Sequence, residues 1–240
     1  MSHAAVPQIL STEAFEASVA EISPKVTVFD CDGTLWAADA GSSFLSWSIE
    51  TGLLSPDAVQ WIQDRYRGYN KGEVSELTIC SQMVQVYNGL HDDQMRDAAR
   101  HFFQLRIAPS IFPEMQRLVA DLQRKDTILW AVSSTCNWVI EEGLRSFDIN
   151  PDRVLATTVE IVSGMVTDHV LDTPTDEGKV TALARVGVVH PDAVFGNSEH
   201  DVAMLAIAQH AFPVNPTPGL ILRSTHKGWP IYFPASVRPL

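Results

Sequence analysis

Residues Val26-Thr27-Val28-Phe29 form a short apolar, β-branched run that stops abruptly at Asp30-Cys31-Asp32-Gly33-Thr34-Leu35. Such a run predicts a strand buried in a sheet. Successive strand side chains point to opposite faces, so Asp30 and Asp32 look one way and Cys31 the other. Two unit charges about 4 Å apart repel by roughly 4 kcal/mol at an effective dielectric of about 20. A carboxylate pair at the end of a buried strand therefore calls for a cation. The same residues also suit an ordinary exit from strand into turn.

The rest of the chain alternates. A short amphipathic helix capped by Ser11 or Thr12 precedes the first strand. From Ser42 to about Arg106 the spacing is helical throughout, with Ser55-Pro56-Asp57 as a cap signal and a helix expected over Glu73 to Tyr87. The βα pattern resumes with a helix from Pro113 and a buried strand Ile128–Val132 that runs into Ser133-Ser134-Thr135-Cys136-Asn137. Val154 to Val170 reads as a hairpin turning at Ser163-Gly164. A helix around Lys179 follows, then the strand Ala193-Val194-Phe195 leading to Gly196-Asn197-Ser198-Glu199-His200-Asp201, and a last core strand near His210–Val214. Strands alternating with helices imply an α/β fold with a parallel sheet covered on both faces. Ligands in such sheets bind beyond the carboxyl ends of the strands, where all of these polar stretches lie. The expected domains are a core over 1–40 and 109–240 and a small all-helical cap over 41–108, inserted after the first strand.

Composition narrows the function. The 240 residues are 45% hydrophobic, enough for a real core. Net charge is −12, with 29 acidic and 17 basic residues and no Lys/Arg cluster, which argues against nucleic acid as a partner. Cys31, Cys80 and Cys136 are far apart and in no zinc spacing, so they read as free thiols of a cytoplasmic protein. Met1 to Gln8 lacks the features of a signal peptide, and no apolar run reaches the length of a membrane span. The sequence sets no oligomeric state.

Taken in order, Asp30 and Asp32, then Ser133 directly after a strand, then Lys179 after Glu177-Gly178, then Asn197 and Asp201, resemble the four motifs of the haloacid dehalogenase-like (HAD) hydrolases. The helical insert and the hairpin before the lysine resemble the phosphoserine-phosphatase-like branch. The resemblance implies a three-layer, Rossmann-like core with a helical cap. It also implies a Mg²⁺-dependent phosphatase of a small phosphorylated metabolite. Asp30 would be the nucleophile forming an aspartyl-phosphate, and Asp32 the general acid and base. Asp30, the backbone carbonyl of Asp32, and Asn197 or Asp201 would hold Mg²⁺. Lys179 and Ser133 would stabilise the transferring phosphoryl group, with backbone N–H groups near Gly33 and Ser134. Relatives acting on halides lack the second acid, so Asp32 points to phosphate. Alternative readings keep the phospho-enzyme but pass phosphate to another alcohol, or make the chain a non-catalytic phosphate-binding module.

Two departures from the family pattern stand out. Asn197 replaces an acid of the fourth motif. Asp39 lies near the expected acidic substrate-binding position, but the expected arginine region of the cap offers only Lys71, which cannot reproduce a two-pronged grip on a carboxylate. Trp36, Phe44 and Trp47 join Asp39 and Lys71 as candidates for facing the site. Plainer roles are also available: Ser133 as a helix cap, Lys179 as a solvated helix residue, Asp201 as an early-helix acid. His200 has no evident partner and reads as a surface or supporting residue.

Overall fold

The structure is a computed structural model that describes residues 7–236. Most of the segment Met1 to Gln8, read above for a leader, lies outside the described residues.

In chain order the elements are β1 (Ile9–Leu10), α1 (Thr12–Ile22), β2 (Val26–Phe29), α2 (Ala40–Glu50), α3 (Pro56–Asn70), α4 (Glu76–Gln85) and α5 (Asp92–Phe102). They continue with α6 (Pro113–Arg124), β3 (Ile128–Cys136), α7 (Asn137–Arg145), β4 (Val154–Val162), β5 (Met165–Asp172) and α8 (Glu177–Arg185). The last are β6 (Ala193–Gly196), α9 (Val202–Ala206), β7 (His210–Pro213), α10 (Pro218–Lys227) and β8 (Ile231–Tyr232). The chain divides into two compact units: Met1–Ala37, Ser110–Val132 and Asp176–Leu240 form the first, and Ala38–Pro109 with Ser133–Thr175 the second.

The first unit is built on parallel strands in the order β3-β2-β6-β7. β2 lies between two parallel neighbours, with Phe29 opposite Ala131 on one side and Phe195 on the other. Val28, Phe29, Val194 and Phe195 are fully buried, as their uniform apolarity requires. Parallel pairing sends the carboxyl ends of β2 and β6 to the same edge. Asp30 and the turn after Gly196 therefore emerge side by side.

An aromatic stack fills one side of this unit. Phe29 stacks on Phe195 at 4.5 Å between centroids, and Phe195 on Phe212 at 5.2 Å. Phe15 of α1 meets both Phe195 and Phe212 edge-on and lies flat on Tyr232 at 4.0 Å. β8 pairs with β1, Ile231 opposite Ile9 and Tyr232 opposite Leu10, so Tyr232 packs on its own unit. α10 hands over to that tail at Gly228, whose φ of 69° is the left-handed conformation that ends many helices.

In the second unit, α2, α3 and α4 begin at side-chain caps from Asp39, Ser55 and Ser75. The helix expected from Glu73 starts only at Glu76, because Gly72 takes φ 74° and Ser75 holds the cap. Phe44, Tyr87 and Phe102 form its core, with the Ser48 and Tyr87 hydroxyls 3.0 Å apart. The β4–β5 hairpin turns at Ser163 (φ 52°) and Gly164 (φ 79°), the two left-handed residues of a type I′ turn. Ser133–Cys136, read from sequence as the polar exit of a strand, remains extended as the end of β3. Cys136 takes the position before α7, so Ser133 is not a helix cap.

The Phe15–Tyr232 stack predicts the worth of the tail. Tyr232→Ala removes a ring that is 1% exposed and is expected to lower stability by about 3 kcal/mol, read as a lower urea midpoint with an unchanged slope.

Candidate active site

The exit of β2 is a tight, fully specified loop. Asp30 N–H extends the sheet ladder by donating to the Phe195 carbonyl at 2.8 Å. The Cys31 carbonyl accepts from both Thr34 N (3.1 Å) and Leu35 N (2.8 Å), and Gly33 N donates to the Trp36 carbonyl at 2.8 Å. Gly33 has φ 75°, and a Cβ there would lie 1.8 Å from the amide nitrogen of Asn197. Backbone conformation and close approach thus both demand glycine.

Asp30 is only 6% exposed. Its Oδ2 accepts from the Thr34 hydroxyl at 3.0 Å and its Oδ1 from Lys179 Nζ at 2.8 Å. Lys179 is 2% exposed, which excludes the reading of a solvated helix lysine. The same ammonium donates to Asp201 Oδ1 at 2.5 Å. Asp201 is fully buried, and its Oδ2 accepts from the backbone N–H groups of Asn197 and Ser198, both at 2.9 Å, and from the Ser198 hydroxyl at 3.4 Å. Both Asp201 oxygens are therefore engaged by protein donors. Gly196 makes room for this: a Cβ there would sit 2.7 Å from Asp201 Cβ.

Two buried carboxylates share one ammonium, so the pocket carries unbalanced negative charge. Burial pushes the Asp30 carboxyl up, and the Asp201 charge adds to this. Lys179 and Thr34 pull it back, leaving it at about 6. Burial opposes the Lys179 ammonium, but the carboxylates of Asp201 and Asp30 more than compensate and hold it above its ordinary value. Cys31, fully buried, is pushed well up by burial and then by the charges of Asp30 and Asp32.

Several participants were not singled out from sequence for the contacts they make. Thr34 holds Asp30. Trp36 Nε1 donates to Asp32 Oδ1 at 2.6 Å. Asn215 Nδ2 donates to the Gly33 carbonyl at 3.2 Å, and Thr217 N to the Asn197 carbonyl at 2.8 Å. His200, read as lacking a partner, pairs through Nδ1 with Asp176 Oδ1 at 2.8 Å.

Ser133, Ser134 and Asp39 belong to the second unit. Ser133 is buried, with its Oγ accepting from Thr135 N at 3.1 Å. The Ser134 carbonyl accepts from the Thr157 hydroxyl at 2.6 Å. Asp39 caps α2, taking Ser42 N at 3.0 Å and the Ser42 hydroxyl at 2.5 Å. Phe44 is a core residue of that unit, Trp36 is fully buried in the first, and Lys71 is exposed just past α3.

The chain belongs to the haloacid dehalogenase-like hydrolase family, whose model matches residues 27–206. A protein of unknown function from Bordetella pertussis Tohama I shares its fold with a TM-score of 0.76 at 22% identity, over 86% of this chain and 97% of that one. A substrate-bound phosphoserine phosphatase is similar at TM-score 0.59 and 14% identity, over 88% of this chain and 92% of that one. A phospho-aspartyl intermediate analogue of phosphoserine phosphatase gives 0.58 and 15%, over 88% and 93%. A comparison with curated proteins finds no significant match.

Members of the family generally use a divalent metal ion. The chemistry of the candidate donors suits one: the Asp30 carboxylate, the Asp32 carbonyl and the side chain of Asn197 or Asp201 would offer hard oxygen ligands, and the unbalanced charge at Asp30 and Asp201 favours a cation. Among the described residues no group of three or more His, Cys, Asp or Glu forms a metal cluster. No helix among the described residues is long and apolar enough to cross a membrane.

The raised Asp30 carboxyl fixes a pH dependence for chelator-treated protein. Its pKa is about 6 folded and 3.8 as the reference value, so its contribution to stability is fully present below pH 3.8 and is lost as pH rises through 6. Asp30→Asn is expected to remove that slope and stabilise the metal-free protein near neutral pH. Denaturant titrations from pH 4 to 7 check this.

Proposed function

We propose that this hydrolase is a Mg²⁺-dependent phosphatase of a small phosphomonoester, working through an aspartyl-phosphate on Asp30. The observation that carries the reading is the buried Asp30 carboxylate held by Lys179 and Thr34, with Asp32 two residues along the same strand exit. Asp30, the Asp32 carbonyl and Asn197 would hold the ion. Asp201, fully buried and with its Oδ2 held by the Asn197 and Ser198 N–H groups of its own turn, positions Lys179 and the loop in this reading. Bound there, Mg²⁺ supplies positive charge against the phosphate anion.

The residues then divide the work. An Asp30 oxygen attacks phosphorus; the new O–P bond forms as the ester P–O bond breaks. The departing alkoxide takes a proton from Asp32 and leaves as the alcohol. Water next attacks the same phosphorus and gives a proton to Asp32, and the Asp30–P bond breaks to free phosphate. Lys179 keeps Asp30 ionised and oriented at a pH where burial alone would favour its acid form. Phosphate-binding roles for Ser133 and Ser134, and a substrate-binding role for Asp39, belong to the same proposal. So does a cytoplasmic location. Lys71, exposed and unsuited to a two-pronged grip, gives no reason to favour phosphoserine.

The expected outcome is phosphate release from p-nitrophenyl phosphate that stops on chelation and returns with Mg²⁺. Asp30→Asn is expected to retain less than about a thousandth of the turnover. Unchanged turnover in that variant rejects Asp30 as the nucleophile. Product analysis with added alcohols separates hydrolysis from phosphoryl transfer to another acceptor.

A further inference from the structure

The contact between Trp36 and Asp32 has no part in the steps above, and its geometry is unusually well fixed. The indole is fully buried. Its backbone is tied down as well: the Trp36 carbonyl accepts from Gly33 N at 2.8 Å, and Trp36 bridges to Ile111. On either side, Phe112 N donates to the Leu35 carbonyl at 3.0 Å and Ala37 N to the Ser110 carbonyl at 2.9 Å. Nε1 therefore reaches Asp32 Oδ1 from a frame with little freedom, at 2.6 Å, the short distance of a charge-assisted bond.

An indole nitrogen donates and never accepts. Oδ1 is then the acceptor whether Asp32 is ionised or not, and because the C=O oxygen of a carboxyl accepts more strongly than its O–H oxygen, the bond favours the proton on Oδ2. We propose that Trp36 is a positioning residue for Asp32: its N–H fixes the carboxyl plane and makes Oδ2 the oxygen that gives up and recovers the proton. This rests on the phosphatase reading. In the first step the electron pair of the broken P–O bond takes the proton to form the alcohol O–H bond, and the Oδ2–H pair stays on the Asp32 carboxylate. In the second, water's O–H breaks and Oδ2–H is restored.

The test uses leaving groups. An alkyl phosphate needs the proton to expel its alkoxide, whereas p-nitrophenolate leaves with little help. The ratio of kcat/KM for an alkyl phosphate to that for p-nitrophenyl phosphate therefore reports the acid step, and a general packing defect does not move it. Trp36→Phe is expected to lower that ratio about tenfold or more, within the 10²–10⁴ that general acid help supplies. Because the ring is buried, a second protein carries 3-benzothienylalanine at position 36, which keeps the bicyclic shape and lacks the N–H donor. It is expected to show the same fall with a near-normal urea midpoint. An unchanged ratio in the folded benzothienyl protein overturns the proposal while leaving the phosphatase reading intact. An unaltered protein that hydrolyses neither ester in Mg²⁺ removes that reading, and this inference with it.

Discussion

A single ammonium organises the first unit. Lys179 is buried between Asp30 and Asp201, and the three residues come from the end of β2, the first turn of α8 and the turn after β6. None of the three could be buried in charged form alone, since an isolated charge inside a protein costs far more than a hydrogen bond returns. Their mutual dependence explains why each neighbouring choice is narrow. Gly196 gives Asp201 room, Ser198 and Asn197 saturate its second oxygen, and Thr34 takes the side of Asp30 that Lys179 does not.

The loop holding Asp30 is braced from outside as well. Asn215, itself in a left-handed conformation, donates its backbone N–H to the Tyr232 carbonyl at 2.7 Å and its side-chain N–H to the Gly33 carbonyl. Tyr232 in turn is fixed by its stack on Phe15. β8 and α1 thus reach the Asp30 loop through one asparagine. This gives the tail a mechanical role in the first unit as well as a share of its core.

How much of this was legible in the chain depends on the range of the interaction. The apolar run and the sharp change at Asp30 identify β2 and its exit, because burial on both faces and strand alternation are local rules. The type I′ turn at Ser163-Gly164 is legible for the same reason. Lys179 is different: a lone lysine on a short helix is solvated unless partners from elsewhere bury it, and only the ordered resemblance to a family pointed to it. The Trp36–Asp32 bond spans four residues of a loop, where no periodic rule predicts which side chains meet. His200 gained a partner from before α8, across a gap of 24 residues. Ser133–Cys136 looked like a loop by polarity, but strand neighbours outweigh composition, as the Thr157 hydroxyl on the Ser134 carbonyl illustrates. Asp39 is read for its position beside the motif, and the cap that it supplies to α2 is a further, local contact.

Cys31 gives the Asp30 loop an intrinsic reporter. Its thiol lies between the two catalytic candidates in sequence, with no solvent exposure and with its ionisation suppressed by burial and by both carboxylates. Alkylating reagents consume thiolates that solvent can reach, so modification of Cys31 can proceed only when the loop detaches from its bracing. The rate of that reaction under native conditions is a clock for local opening at Asp30, independent of turnover and of any added label.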